Sequence, residues 1–546
     1  MGECVATEQQ YEAGSLALVN GKVFTADPER PDASAIGIWR GRIAYVGDDA
    51  DAARAAAGAG AEAIDLAGRT ATPGLIDAHM HPIMYAEFLR DIDLSVMGSV
   101  GEVLEAIRMR ASETPVGEPI IGRAYYATTL AEGRMPTASE LDAVAPDHEV
   151  ILVHRSGHEM VVNSRILHWI RVTRDTPDPD GGYLGRDADG ELTGLLAENA
   201  MEPVNGLLDA LITGPEYFEP LLRRTTASLL AYGITSTTDA NMPSANLMRA
   251  YQQVQADTSQ PRVRYNLMLG HWQMLEPSEG LGIGTGFGNT WLRANAMKFF
   301  LDGTEGQRTA KISEGFADDP DNLGMWMFPP EQFRERVTRA HNAGWQCAVH
   351  AIGDAAIELT LDVYRDAQRA NPLPDPRHRI EHASLLRPDL IDRFSQEGVI
   401  PIPGGRFASN DYRVLIERFG ADRLRWYQPW NALLEHNVPV AMSSDAPVQS
   451  PDPAKNLWAV VNSRAEHDQN IVMQPDERIS LAETLIAYTR NAAWATHEES
   501  RKGMLRVGML GDVTVFNCDL FAVDPLELGS VKADVTVVDG VVAYRA

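Results

Sequence analysis

Eight short apolar segments recur along the middle of the chain, and many are separated by stretches in which apolar residues fall at helical spacing. The first ends in the run Thr72-Pro73-Gly74-Leu75-Ile76-Asp77-Ala78-His79-Met80-His81-Pro82. The others are 233–239, 263–269, 296–301, 346–350, 379–382, 399–403 and 438–443. Helical patterns occupy 216–232, 244–256, 330–343, 355–370 and 388–397, several ending near a glycine such as Gly233 or Gly344. Parallel strands buried on both faces read as continuous apolar runs, and each needs a crossover to reach the next. The pattern therefore predicts an α/β fold, a (β/α)8 TIM-like barrel. An open doubly wound sheet is the alternative, but no glycine-rich phosphate turn follows the first strand.

The two ends read differently. Residues 15–73 are rich in short strands, with hairpin signals at Asn20-Gly21 and Arg40-Gly41. Residues 512–517 and 534–544 repeat the pattern, the second folded at Asp539-Gly540. Neither end is large enough to bury a core alone, so one small composite β-sandwich is expected from 1–73 plus 497–546. The barrel then spans 74–496, with an inserted subdomain at about 83–232 after the first strand. The insertion carries its own apolar strands at 119–124 and 149–154 and a turn-rich stretch at 178–194. A second long connection, 302–329, carries Phe316, Trp326 and Phe328. Long loops at the C-terminal ends of barrel strands usually shape the substrate pocket.

Charge and cysteine content narrow the partners. Acidic residues number 76 against 48 basic ones, a formal charge of −28. Nucleic acid and anionic membranes both need a basic face, so neither is expected as a partner. Three cysteines, Cys4, Cys347 and Cys518, make no disulfide framework. The first residues have neither a basic nor an apolar leader region, and no apolar run approaches membrane-spanning length. A cytoplasmic location and a small-molecule substrate are the expectations, with a homodimer as a candidate assembly.

Side chains at i and i+2 of a strand point the same way, so His79 and His81 aim two imidazoles at one point. Two imidazoles are a natural start for a transition-metal site. Similar residues recur at later strand ends: Lys298 in the fourth, His350 ending the fifth, His382 ending the sixth, and Asp445 following the eighth. Each has an ordinary reading. A strand-end histidine is commonly structural, Asp445 could cap a helix, and Lys298 could pair with a buried carboxylate. Six such residues at five strand ends that a barrel gathers onto one face are harder to explain that way.

The runs PGLIDAHMHP (73–82), SGHEMVVNS (156–164), ELTGLLAE (191–198), GITSTTDA (233–240), MKFFLDGT (297–304), AVHAIGD (348–354), RIEHA (379–383), SSDAP (443–447) and YTRNAAWA (488–495) stand in this order. Together they resemble the amidohydrolase superfamily of metal-dependent hydrolases, and within it the amidohydrolase family 3 branch that includes N-substituted formamide deformylases. The resemblance implies the barrel, the composite sandwich and a centre of one or two divalent ions, zinc above all. It implies that His79 and His81 bind the more buried ion, that His350 and His382 bind the second, and that Lys298 bridges them as a carbamate. Asp445 would touch the first ion and serve as general base and acid, while His158 would lie near the pocket. One departure stands out: the seventh strand runs into Pro403-Gly404-Gly405-Arg406.

The implied chemistry is hydrolysis of a C–N amide-type bond, in an N-acyl or N-formyl amine, by metal-activated hydroxide. A deaminase of an amino-substituted ring is the first alternative, but such enzymes use a Glu shortly after the fifth-strand histidine, and Ala351-Ile352-Gly353-Asp354 supplies none. An ester hydrolase or decarboxylase on the same centre is another, and a non-catalytic binding protein is disfavoured because all six positions are filled. Trp272, Trp326 and Arg308, with Phe316 and Phe328, are candidates for substrate contact.

Overall fold

The computed structural model describes residues 13–125, 127, 130–154, 159–179, 181–211, 215–270 and 274–546. The chain divides into two compact units, one running through Pro82 and resuming at Thr225–Ala546, the other Ile83–Arg224.

The first unit is built on a TIM-like barrel. Its parallel strands are β1 (Leu75–Met80), β2 (Ile234–Met242), β3 (Arg264–Gly270), β4 (Leu292–Phe300), β5 (Gln346–Ala351), β6 (Arg379–His382) and β7 (Ile400–Ile402). Each pairs with the next in that order. The strands are buried along nearly their whole length, as their apolar runs require. Crossover helices follow the predicted pattern: Pro215–Ala231, Ala245–Ala256, Pro330–Asn342, Asp354–Ala370 and Pro388–Glu397. Ser244 caps the second through its side chain, and Gly398 ends the last in the left-handed conformation at φ 64°.

The eighth segment departs from expectation. Residues 438–443 form no regular strand but an extended seam that closes the barrel. On one side Ser443 N–H donates to Pro403 O at 3.2 Å and Gly405 N–H to Ser443 O at 3.2 Å. On the other, Ala78 N–H donates to Met442 O at 3.0 Å, Asp445 N–H to His79 O at 2.8 Å and His81 N–H to Ala446 O at 2.8 Å. Pro439, without an N–H, interrupts a regular ladder here. Gly404 is required at the adjacent turn, because a Cβ there would lie 2.1 Å from the Phe407 ring.

Strands from both ends of the chain form two further sheets in this unit. One has the order Arg42–Gly47, Ala35–Trp39, Leu16–Val19, Glu62–Asp65. The other has the order Val541–Arg545, Ala533–Val538, Val513–Phe516, Thr70–Pro73, Lys22–Phe24, Asp32–Ala33. Leu16, Leu18, Ile36 and Ile38 of the first sheet share a core with Val23, Val513, Val515 and Val535 of the second. Arg40-Gly41 and Asp539-Gly540 are true hairpin turns, both residues of each having positive φ. Asn20-Gly21 is not. The strands on either side enter different sheets, and Gly21 sits where a Cβ would strike Leu66 at 2.3 Å, so this dipeptide turns the chain from one sheet to the other.

The second unit holds a mixed six-stranded sheet, in the order Gly182–Arg186, Leu192–Glu198, Glu159–Val162, Val150–His154, Ile120–Tyr125, Ile92–Asp93. Its core includes Val103, Ile107, Leu141 and Leu152. The turn-rich stretch becomes the hairpin between the first two of these strands. Among the described residues, no helix is long and apolar enough to cross a membrane.

Candidate active site

The barrel gathers six side chains at the C-terminal ends of its strands. β1 supplies His79, with His81 just past its end; β4 supplies Lys298, β5 His350, β6 His382, and the closing seam Asp445. His79 Nε2 lies 3.4 Å and His81 Nε2 3.2 Å from Asp445 Oδ1. One donor atom from each of these three residues falls within 4.8 Å of the others. The His382 ring centre is 5.0 Å from that of His79 and 4.5 Å from that of His350. Lys298 is fully buried, with Nζ 4.9 Å from the centre of the Phe300 ring, which itself lies 5.6 Å from the His350 ring.

Burial sets the electrostatics. It pushes the Lys298 ammonium down to about 8, against the upward pull of Glu381 and Asp445. It pushes His350 down to about 4, with help from Lys298, and holds His382 well below the usual imidazole range, with help from His350. Burial also raises the Asp445 carboxyl, but the adjoining His79 and His81 outweigh it and hold Asp445 well below the usual carboxylate range. The cluster thus sets an ionised Asp445 beside His350 and His382, whose burial favours their neutral form.

Three of these polar atoms are orphans. Among the described residues, His79 Nε2, Asp445 Oδ1 and Lys298 Nζ are buried with no hydrogen-bond partner. Such atoms are costly unless a ligand completes them. Two imidazole nitrogens and a carboxylate oxygen converging on one point suit a divalent cation, and the residues fit one. Backbone strain is concentrated here as well: His382 (φ 70°), Ala383 (φ 42°) and Asp445 (φ 56°) all occupy the left-handed region.

Behind these side chains stand residues that sequence reasoning passed over. Glu381 accepts from His79 Nδ1 and is gripped by Arg379 at 2.8 and 2.9 Å. Asp77 accepts from His79 N–H and from both Ser444 N–H and Oγ, and burial raises its carboxyl to about 6. Asp302 accepts backbone N–H groups from Lys311, Ile352 and Gly353, and so fixes the loop after His350, while burial raises it to about 7. Opposite charges two residues apart in a fully buried strand, as in Arg379-Ile380-Glu381, were the available signal.

The proposed substrate contacts fare unevenly. Phe316 is fully buried and stacks on Phe419 at 5.9 Å in a cluster with Leu385 and Phe407, so it packs the loop. Arg308 spends its guanidinium on Asp318, at 2.6 Å, where Arg418 also reaches. Trp326 is half-buried with Lys311 Nζ 5.6 Å from its ring centre, and Phe328 faces the Arg336 guanidinium at 4.7 Å. His158 and Trp272 lie outside the described residues.

Known proteins show the same organisation. The chain is 29% identical to N-substituted formamide deformylase of Arthrobacter pascens over 97% of this chain and 98% of that protein. It is 30% identical to the protein LONG AFTER FAR-RED 3 of Arabidopsis thaliana over 92% of this chain and 87% of that one. A crystal structure of an uncharacterized metal-dependent hydrolase from Pyrococcus furiosus superposes with a TM-score of 0.76 at 28% identity, covering 94% of this chain and all of that one. The sequence profile of the amidohydrolase family matches residues 62–544, and the chain belongs to that family.

Proposed function

We propose that this chain is a metal-dependent hydrolase that cleaves the C–N bond of a small N-formyl or N-acyl amine. The observation that carries the reading is the convergence of His79, His81 and Asp445 donor atoms within 4.8 Å of one another, with His79 Nε2 and Asp445 Oδ1 buried and, among the described residues, without hydrogen-bond partners. His79, His81 and Asp445 would hold one divalent cation, and His350 and His382 would hold a second. Lys298 would serve that centre as a carbamate, because a bare ammonium would repel the ions. When bound, a zinc ion supplies Lewis acidity for the carbonyl and lowers the pKa of water to about 7.

The chain's own groups do the rest. Asp445 is ionised and sits at the mouth of the barrel, so it takes the proton from the attacking water at its free carboxylate oxygen. It then returns that proton to the departing amine nitrogen, which cannot leave as an anion. An imidazole that held a cation would do so through the lone pair of its neutral form. Support comes also from the relatives, a formamide deformylase at 29% identity and a metal-dependent hydrolase at 28%.

The test measures metal content and activity together. Purified protein should carry about one to two zinc ions per chain and hydrolyse members of a panel of N-formyl and N-acyl amines. His79→Ala should lose metal and activity in step, and protein equilibrated with 13C-labelled carbon dioxide should show a carbamate signal that Lys298→Ala lacks. A His79→Ala protein with full metal and full rate would sink the reading.

A further inference from the structure

Glu381 and Arg379 are both fully buried on β6, and neither belongs to the ligand set proposed above. Their side chains, two residues apart, point to the same side of the strand. Arg379 grips both Glu381 oxygens, Nε to Oε1 at 2.8 Å and Nη2 to Oε2 at 2.9 Å. The same Nη2 also donates to Ala78 O on β1 at 2.8 Å. Glu381 Oε2, so held, accepts from His79 Nδ1. The four groups close a ring: the β1 backbone at Ala78, the Arg379 guanidinium, the Glu381 carboxylate and the His79 imidazole. The ring joins two barrel strands that are not neighbours in the sheet.

This ring leaves His79 no choice of tautomer. A carboxylate accepts only, so Nδ1 carries the hydrogen, and in the neutral ring Nε2 is left with the lone pair. Nε2 is the orphan atom, 3.4 Å from Asp445 Oδ1. A buried ion pair contributes little net stability, since desolvation offsets its Coulomb gain. Stability therefore does not explain a carboxylate locked to Arg379 and aimed at one imidazole nitrogen.

We propose that Glu381, clamped by Arg379, is a positioning residue that fixes the His79 tautomer and ring direction and so sets the affinity of the site for zinc. The inference rests on the metal-site reading above, and concerns how that site is tuned. Removing such a carboxylate from behind a ligating imidazole typically lowers metal affinity about 10–100-fold.

The experiment titrates zinc into metal-stripped full-length protein against a chromophoric chelator. Glu381→Gln should bind zinc about 10–100-fold more weakly than wild type. Because that change leaves Arg379 buried and uncompensated, the double variant R379M/E381M is measured beside it; it removes the whole ion pair and should keep the fold. A purely structural pair predicts wild-type zinc affinity in a folded R379M/E381M protein, and that result would overturn the proposal. A loss of affinity like that of E381Q supports it. The 15N spectrum of histidine-labelled wild-type apoprotein, assigned by the signal missing in His79→Ala and followed to the pH at which that ring is neutral, should show Nδ1 protonated and Nε2 bare. The opposite tautomer overturns the proposal whatever the variants do. If His79→Ala itself binds zinc as wild type does, the metal-site reading fails instead.

Discussion

At the scale of the residue, Asp445 carries the most chemistry. It is ionised, its Oδ1 faces two imidazoles, and its backbone is held at φ 56° by the hydrogen bond from its N–H to His79 O. Asp445→Asn keeps the size and one oxygen donor but cannot accept a proton. Metal should largely remain, and kcat and kcat/KM should fall together by about 10²–10⁴-fold, the contribution of a positioned general base. Steady-state kinetics on metal-quantified protein checks this, and a wild-type rate would assign proton transfer elsewhere. The sequence made the six candidate side chains legible because the barrel rule alone brings strand ends to one face. It did not reveal Phe316 as a packing residue. An aromatic in a loop looks the same whether it faces substrate or, as here, stacks on Phe419 from a helix a hundred residues later. Glu381 was missed for a related reason: beside His382 it reads as strand, and only the fold brings it to His79.

At the scale of the element, the start of β5 and β6 holds a chain of two buried histidines. Cys347 N–H donates to His378 Nδ1 at 3.0 Å, His378 Nε2–H then donates to His341 Nδ1 at 2.8 Å, and His341 Nε2–H donates to Asn371 O at 2.7 Å. Every nitrogen has one role, so both rings must be neutral. Burial pushes His378 down to about 3, helped by His341 and His497, and the Tyr364 ring lies against it at 4.5 Å. The folded value is depressed below the ordinary value of about 6.5, so the stabilising contribution is present above that pH. It is lost as pH falls from there toward the folded value, at up to about 1.4 kcal/mol per pH unit. His378→Gln retains an acceptor for Cys347 N–H and should flatten the acid limb of a urea-midpoint profile between about pH 6.5 and 4; an unchanged limb refutes the assignment. Strands and crossover helices were readable from periodicity because burial on both strand faces leaves continuous apolar runs. The eighth strand was over-read, since an apolar run around Pro439 cannot complete a ladder. Asn20-Gly21 was over-read too, because turn residues specify a bend and not which sheet each arm joins.

At the scale of the whole chain, Arg264 at the start of β3 ties the barrel to the terminal sheets. It pairs with Asp512 at 2.7 Å and reaches Asp539 at 3.2 Å, and all three are largely buried. Arg264→Leu leaves two carboxylates without their cation and should cost about 3–5 kcal/mol, read as a lowered denaturant midpoint. Arg264→Leu with Asp512→Asn should recover part of that loss, and a midpoint unmoved by the single change would show that the contact holds nothing together. The seam that closes the barrel has a consequence in time. Asp77 and Ser444, joined across that seam, stand 367 residues apart in sequence. During synthesis at about 5–20 residues per second, roughly 20–70 s separate the emergence of one from the other. Through that interval His79 and His81 wait at an open strand edge without Asp445. Closing the seam and bringing Asp445 to the two imidazoles both wait until Ser444 and Asp445 have been made, so a nascent chain stalled before them presents two histidines without the carboxylate.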